Sequence, residues 1–290
     1  MNIFVQILFN SLEMGGVYAL ATMGVILIFR TSSAFNYAQG VIAMFCAFIA
    51  AHVLHMTGMH VILATVVGLL AALAVGIVID RVVISRTINL HSVSKQIVTL
   101  GLVIVFLGLA PMFFGVDPLT YPRFAHGSIA VAGANITYSA IINISIGIIV
   151  MAVLFYIIQR TKWGLAVRAT ASNGIVARLM GIPTPIVTMG AWALAAALGT
   201  MAAIMIGPTT TVNLTMMDNI QITALLACVL GGLGTFHGPV IAAYIISLSR
   251  SMIAFYVTPV WSDAIVFLLI LGVLLLAPNG IFGKKVVRKV

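Results

Sequence analysis

The stretch "VILATVVGLLAALAVGIVI", residues 61–79, decides the fold class. It is apolar on every face, whereas a strand of a membrane β-barrel alternates apolar and polar residues over about ten positions. An α-helix satisfies its backbone hydrogen bonds internally, and about 20 apolar residues are enough for it to cross the hydrocarbon core of a membrane. The stretch therefore predicts a transmembrane helix.

The whole sequence shares this character. Hydrophobic residues make up 62% of it and charged residues 7%, against roughly 25% charged residues in an average soluble domain. Long intervals, such as 31–79 and 124–159, contain no Asp, Glu, Lys or Arg. The first basic residue is Arg30, so the sequence predicts no removable signal peptide. We expect an all-α polytopic membrane protein that forms a single transmembrane domain over residues 1–290.

The basic residues predict the topology, because Lys and Arg concentrate in cytoplasmic segments. Eleven of the fourteen lie in three places, near 81–95, in a loop at about 160–183, and in a C-terminal tail at 283–290. The number of apolar segments between one basic place and the next is even. The number of apolar segments before the first basic place is odd. The chain therefore has either nine crossings with its N-terminus outside or eight crossings and one segment that only dips into the membrane.

The net charge of +9 does not indicate nucleic-acid binding, because the basic residues form no face of a soluble domain. The external loops 115–128 and 207–218 are short and rich in turn-forming residues. They cannot form a ligand-capturing domain, so any such domain has to be a separate protein. Cys46 and Cys228 lie inside apolar runs and are expected to be packed, inert thiols.

A glycine-rich block, "GGLGTFHGP" at 231–239, interrupts the apolar stretch 219–258. Irregular backbone at membrane depth is tolerated where protein or a water-filled cavity covers it, so a transporter is expected. The block is not a phosphate-binding loop, which requires a lysine, because Lys is absent from 163–283. The glycines serve either close helix packing or a hinge on the translocation path.

The stretch "TKWGLAVRATASNGIVARLMGIP", residues 161–183, is unusually basic for this chain. It predicts one helix of about fifteen residues between Gly164 and the stop at Gly181, too short to span a bilayer. At about 100° per residue, Arg168 and Arg178 can share one side of that helix. Two interpretations stay open: an interfacial helix whose arginines meet lipid phosphates, or a helix that docks into a cleft on a partner protein.

Three blocks of the sequence resemble the permease subunits of branched-chain amino acid ABC transporters of the LivH type. The matching residues are Gly16, Tyr18, Ala19, Leu20, Gly24, Asn36, Ala38 and Gly40 in 15–40, Gly164, Arg168, Ala169, Ala177, Gly181 and Ile182 in 161–183, and Gly231, Gly232, Gly234 and Gly238 in 231–239. The blocks occur in the order found in the family and span most of the chain.

The resemblance implies a multi-pass permease of the bacterial inner membrane that imports branched-chain or related small amino acids. It also implies four kinds of neighbour: a second homologous permease subunit, two cytoplasmic ATPases, an external binding protein and membrane lipid. ATP and Mg would bind the ATPases, and this chain would carry no cofactor and no catalysis. Family members often have acidic residues near positions 172 and 173, whereas this chain has Ser172 and Asn173, which leaves no acid there for a salt bridge.

Together, the resemblance and the residues predict two sets of site residues. Gly164, Arg168, Ala169, Ala177, Arg178 and Gly181 are predicted to couple the permease to the ATPases. Asn36, Gln39, Gly231, Gly232, Gly234, Gly238 and Glu13 are predicted to lie on the translocation path, although amides such as Asn36 and Gln39 also serve to pack helices together.

Few charged residues lie within or beside the apolar segments, where ionisable groups are costly and often functional. Asp218 and Asp263 each open a predicted helix, so we expect them to cap it. Glu13 and Arg250 are better candidates for burial against another helix or for lining a cavity. The alternative function, an ion-coupled secondary transporter of a small zwitterion, would need Glu13 as its acid.

Overall fold

The computed structural model describes residues 2–87, 91–131 and 134–283. In this part of the chain the elements are α1 Asn2–Ser32, α2 Gln39–Thr57, α3 Val61–Val82, a 3-10 helix Ile84–Thr87, α4 Ser92–Phe114, β1 Ser128–Val131, β2 Ala134–Thr137, α5 Tyr138–Arg160, α6 Lys162–Ser172, α7 Gly174–Leu179, α8 Thr184–Thr210, α9 Asp218–Gly231, α10 His237–Tyr256 and α11 Ser262–Leu276.

The prediction of an all-α membrane protein is confirmed. Among the described residues, seven helices are long and apolar enough to cross a membrane, and α9 and α11 are shorter apolar helices. These seven long and two shorter helices together match the number of apolar segments in the alternative with nine crossings. With 14 and 15 residues, however, α9 and α11 fall below the length of about 20 that spans the hydrocarbon core.

The centre of the bundle consists of α1 and α8. In each, 78% of the most apolar window is buried within this one chain, whereas in α4 the figure is 22%. Small residues allow this close packing, because helices in a membrane associate where their backbones approach. A side chain at Gly76 of α3, for example, would lie 2.6 Å from the Trp192 carbonyl oxygen of α8. The outer helices instead expose their Leu, Ile and Val side chains.

The basic segments gather on one side of the bundle. Lys95 at the start of α4 contacts the Ser32 carbonyl at the end of α1, with 3.5 Å between Nζ and O. One cavity is lined by Ser32, Ser85, Lys95 and Arg178, which come from four parts of the sequence. These basic segments therefore share one side of the bundle, and its assignment as the cytoplasmic side stays a prediction from the basic residues. The predicted tail at 283–290 lies, apart from residue 283, outside the described residues.

The opposite side contains an element that the sequence analysis missed. Strands β1 and β2 form an antiparallel hairpin in which Ile129 pairs with Ile136. Leu119 and Val212 form an isolated bridge between loop 115–128 and loop 207–218, the two that are predicted to be external. Tyr121 fixes the first loop to α3, because its hydroxyl lies 2.9 Å from Thr65 Oγ1. Burial raises the pKa of this phenol.

Candidate functional site

The predicted coupling helix is two helices, so the single-helix prediction was wrong. Helix α6 ends at Ser172, and Asn173 begins α7 by accepting hydrogen bonds at Oδ1 from the amides of Ile175 (3.0 Å) and Val176 (3.1 Å). Asparagine is one of the best N-cap residues, which explains why the chain restarts the helix here. We call the two helices, residues 162–179, the α6–α7 segment.

The predicted stop at Gly181 is confirmed. Gly181 has φ +81°, a left-handed conformation that favours glycine. Its amide donates to Arg178 O (2.9 Å), and the amide of Ile182 donates to Ala177 O (3.0 Å). This pair of hydrogen bonds is the Schellman motif that ends many helices. Proline at 183 then prevents further helix in the same direction.

Gly164 holds α6 directly against the end of α5. The Thr161 hydroxyl caps α6 by accepting from the Gly164 amide at 3.1 Å. A side chain at Gly164 would collide with the carbonyl oxygens of Ile157 and Ile158 in α5. On the same buried side, Val167 is fully enclosed. The first half of the segment is therefore fixed to the transmembrane bundle by backbone contact.

The other side of the α6–α7 segment is an exposed apolar surface. Leu165 is 60% exposed, Leu179 80% and Met180 78%, and Ile175 and Val176 are exposed beside them. Contiguous exposed apolar residues mark surfaces that bind a protein or a membrane. Both interpretations of the segment, ATPase docking and lipid contact, use such a surface.

The two arginines of the segment face different spaces, contrary to the prediction that they share one side. The break at Asn173 turns α7 away from the direction of α6. Arg168 lies over a groove of about 420 Å³ and donates to Gln159 O at 3.4 Å. Arg178 lies over the cavity described above and donates from Nε to Thr184 Oγ1 at 2.8 Å.

We call the first space the basic groove. Besides Arg168, its walls include Arg30, Arg160 and the start of α10 at His237. Arg30 donates to the carbonyl oxygen of Gly234 and stacks over the Phe236 ring at 4.9 Å. The groove therefore brings the α6–α7 segment next to the glycine-rich block that joins α9 to α10.

The glycine-rich block is a tightly packed turn. Gly231 ends α9 and Gly238 lies in the first turn of α10, and a side chain at Gly231 would collide with the Gly238 backbone. Gly232 has φ +90°. The Leu230 carbonyl accepts from the Ile281 amide at 2.8 Å, which attaches the turn to the segment after α11. The packing interpretation of these glycines agrees with these contacts, and their part in a path stays a prediction.

Asn36 and Gln39 are buried where α1, α2 and α9 meet. Gln39 Nε2 donates to Ala21 O of α1 at 2.9 Å, and Asn36 O accepts from Gln221 Nε2 of α9 at 3.0 Å. Each is at most 2% exposed in this chain. The Gln39 side chain and the Asn36 backbone carbonyl therefore connect helices, whereas Asn36 Oδ1 accepts from the nearby Ala38 amide at 2.9 Å. Their predicted position on the translocation path stays a prediction.

Three charged residues of the spans, Glu13, Arg250 and Asp263, have partners that the sequence did not reveal. Glu13 Oε1 accepts from Asn143 Nδ2 of α5 at 2.7 Å. Arg250 of α10 forms an ion pair with Asp263 of α11 and also donates to the Tyr18 hydroxyl. Asp263 was predicted to cap its helix and instead pairs with Arg250. Hydropathy could not show this pair, because it depends on how two separate helices pack.

Comparisons with known proteins agree over nearly the whole chain. A family model described as "Branched-chain amino acid transport system / permease component" matches residues 7–274. The high-affinity branched-chain amino acid transport system permease protein LivH of Escherichia coli K12 is 26% identical over 301 residues, which cover 99% of this chain and 98% of that protein. BraD of Pseudomonas aeruginosa, of the same description, is 28% identical with the same coverage. A probable LivH of Methanocaldococcus jannaschii is 24% identical and covers 98% of this chain and 95% of its own length.

Proposed function

The chain belongs to the family of permease components of branched-chain amino acid transport systems, and we propose that it is one transmembrane subunit of an ATP-driven importer. An external binding protein delivers leucine, isoleucine, valine or a related small amino acid. A second homologous permease subunit completes the pore in the bacterial inner membrane. Two cytoplasmic ATPases bind ATP and Mg, and the C-terminus of this chain lies on their side. The match over residues 7–274 is the observation that carries this proposal.

We further propose that the α6–α7 segment is the contact with an ATPase. One side of the segment is fixed to α5 at Gly164, and the other side presents exposed apolar residues such as Leu179. A docking element needs both properties, since it must bind a partner and also transmit the partner's displacement. Arg168 and Arg178 orient the complex through charge complementarity with acidic groups of the ATPase.

The contacts of the segment suggest how its movement reaches the pore. Gly164 leaves no space between α6 and the end of α5, so a displaced α6 carries α5 with it. Arg168 lies across the basic groove from the turn between α9 and α10. ATP binding by the partner then shifts the bundle between two packed arrangements, with access from one side in each.

Within this mechanism the predicted path residues fall into two groups. Asn36, Gln39 and the glycines at 231 and 238 are buried by contacts within this chain. We propose that they hold the helices that form the path. Glu13 is only partly buried and accepts from Asn143 at the outer half of α1 and α5. We propose that this pair of side chains lies beside the entry of the path.

The test is uptake by the reconstituted complex. This chain, a second permease subunit, the ATPases and the binding protein are placed in vesicles, and radiolabelled leucine uptake is measured. The proposal predicts uptake that requires ATP on the ATPase side and the binding protein on the other. Uptake by this chain alone, driven by a proton or sodium gradient without ATP, would support a secondary transporter and overturn the proposal.

A further inference from the structure

A cavity of about 470 Å³ opens beneath the second half of the α6–α7 segment, on the basic side of the bundle. We call it the cytoplasmic cavity. Its walls come from the ends of α1 and α3, the start of α4, the α6–α7 segment and the start of α8. The volume falls within the range of about 300–1,000 Å³ that is usual for small-molecule sites. The mechanism proposed above does not use it.

Two buried polar atoms on its walls have no hydrogen-bond partner among the described residues. Asp80 is 4% exposed, and its Oδ1 is buried without a partner. Thr170, on α6, is 7% exposed, and its hydroxyl oxygen is likewise buried without a hydrogen-bond partner. Buried polar groups are nearly always hydrogen-bonded, because leaving one unpaired costs free energy. An acid and a hydroxyl in this state indicate a site that a polar ligand completes.

Two cations line the same cavity. They are Lys95, from the start of α4, and Arg178, from α7. Lys95 makes a long hydrogen bond of 3.5 Å to a carbonyl, and Arg178 donates to the Thr184 hydroxyl. Among the described residues, the ion pair with nitrogen and oxygen within 4.0 Å is that of Arg250 and Asp263, between α10 and α11. Neither Lys95 nor Arg178 therefore forms an ion pair with Asp80. The cavity therefore holds a carboxylate and two cations that do not neutralise one another directly.

A small ligand with both charges matches this arrangement. We propose that the cytoplasmic cavity binds a free α-amino acid, whose carboxylate interacts with Lys95 and Arg178 and whose ammonium group interacts with Asp80. Charge-assisted hydrogen bonds of this kind are the stronger ones in proteins. Ile84 and Ile175 also line the cavity and provide apolar contact for an aliphatic side chain. The identification of this amino acid with the transported one rests on the proposed function.

The ligand would connect the α6–α7 segment to the transmembrane bundle. Thr170 and Arg178 belong to the segment, whereas Asp80 and Lys95 belong to α3 and α4. An amino acid bound between them restrains the segment in the arrangement described here. Because a ligand stabilises the state that it binds best, accumulated amino acid on the cytoplasmic side then slows ATP-driven transport.

The first experiment measures binding of radiolabelled leucine to the complex of permease and ATPases in phosphatidylcholine nanodiscs, without the external binding protein. We expect saturable binding that Asp80→Asn and Lys95→Met each weaken by at least about tenfold. The matched control is Arg86→Met, since Arg86 is exposed on the same side but does not line the cavity. Size-exclusion profiles of each complex separate lost binding from lost folding, and Lys95→Met serves where Asp80→Asn does not assemble.

The outcomes separate this inference from the proposed function. Uptake with no saturable binding up to about 1 mM leucine, or binding that both variants leave unchanged, overturns the inference and leaves the function intact. Binding without ATP-dependent uptake supports the inference and counts against the function. A zwitterionic lipid headgroup presents similar charges, so phosphoethanolamine is the comparison ligand. If it binds and leucine does not, the amino-acid assignment is wrong.

The second experiment measures inhibition. Leucine on the ATPase side of loaded proteoliposomes is expected to lower the rate of ATP hydrolysis in the wild-type complex and in Arg86→Met. Asp80→Asn and Lys95→Met should resist that inhibition. Equal inhibition in all four complexes would contradict a role for the cavity, because inhibition would then arise elsewhere.

Discussion

The basic groove and the cytoplasmic cavity both border the α6–α7 segment but differ in charge. Arg30, Arg160 and Arg168 line the groove, with no acidic residue among its described walls, and Arg30 and Arg168 contact backbone carbonyls. The cavity contains Asp80, which is buried and unpaired, together with its cations. The α6–α7 segment therefore borders two spaces of different charge, and we infer a different role for each. The groove connects moving helices and suits an anionic partner surface, whereas the cavity suits a small zwitterion.

We expect the largest decrease in uptake from a change at Gly164. This residue fixes α6, which borders both the basic groove and the cytoplasmic cavity. Gly164→Ala places a methyl group against the carbonyls of Ile157 and Ile158, so α6 has to leave α5. Overpacking costs about 1–3 kcal/mol, and we expect ATP-dependent uptake to fall by about tenfold or more. Radiolabelled uptake by vesicles with equal amounts of inserted protein is the measurement. Gly101→Ala is the control, because a side chain there meets nothing within 4 Å. Full activity of the Gly164 variant would contradict the rigid contact.

The next effect is expected at the glycine-rich turn beside the groove. Gly231→Ala forces the end of α9 away from Gly238, whereas the control Gly272→Ala in α11 adds a methyl group in open space. We expect uptake about five- to tenfold lower in the first variant and nearly unchanged in the second. Leucine binding at the cytoplasmic cavity should be unaffected in both. Equal uptake by the two variants would show that the tight turn does not matter for transport.

Charge reversal compares the two arginines directly. Arg168→Glu should leave the protein inserted but weaken co-purification of the ATPases and lower substrate-stimulated ATP hydrolysis, because it changes the charge of the docking side. Arg178→Glu should also weaken leucine binding. The control, Arg81→Glu, changes an exposed arginine at the end of α3 on the same side. If Arg168→Glu leaves both co-purification and ATP hydrolysis unchanged, its docking role is wrong.

The smallest effect concerns the junction between α6 and α7. Asn173→Ala removes the side-chain cap of α7, which costs about 1 kcal/mol. We expect hydrogen exchange at the amides of Ile175 and Val176 to be about fivefold faster, with a small decrease in uptake. Asn173→Ser retains a capping oxygen and should restore slow exchange. Unchanged exchange in the alanine variant would show that the cap does not hold α7.

Apolar length made most of the fold predictable. The stretch 61–79 corresponds to α3 Val61–Val82. The apolar stretch 219–258 corresponds to α9 Asp218–Gly231 and α10 His237–Tyr256, which the glycine-rich block separates as predicted. A helix in a membrane needs apolar residues over its whole length, so the sequence marks it clearly. The hairpin at β1 and β2 was missed because its short strands lie beside turn-forming residues and have no such requirement.

The candidate site was predictable only in part. Gly181 was recognised because a glycine followed by a proline ends helices in a well-defined way. Asn173 was read as an ordinary helix residue, although its side chain prefers to cap the next helix. The cytoplasmic cavity was not predictable, because Asp80, Lys95 and Arg178 are distant in sequence and meet only when α3, α4 and α7 pack. The Arg250–Asp263 pair was missed for the same reason.

Cross-linking from the α6–α7 segment tests directly whether this segment binds an ATPase. A photoreactive amino acid at Leu179, which is 80% exposed, is activated in membranes that contain the whole complex. If the segment binds an ATPase, this group forms a covalent adduct with an ATPase subunit. The same group at Val116, in loop 115–128, forms no such adduct. If Leu179 gives only lipid adducts while the complex still transports leucine, the segment lies on the membrane surface and does not couple the permease to the ATPases.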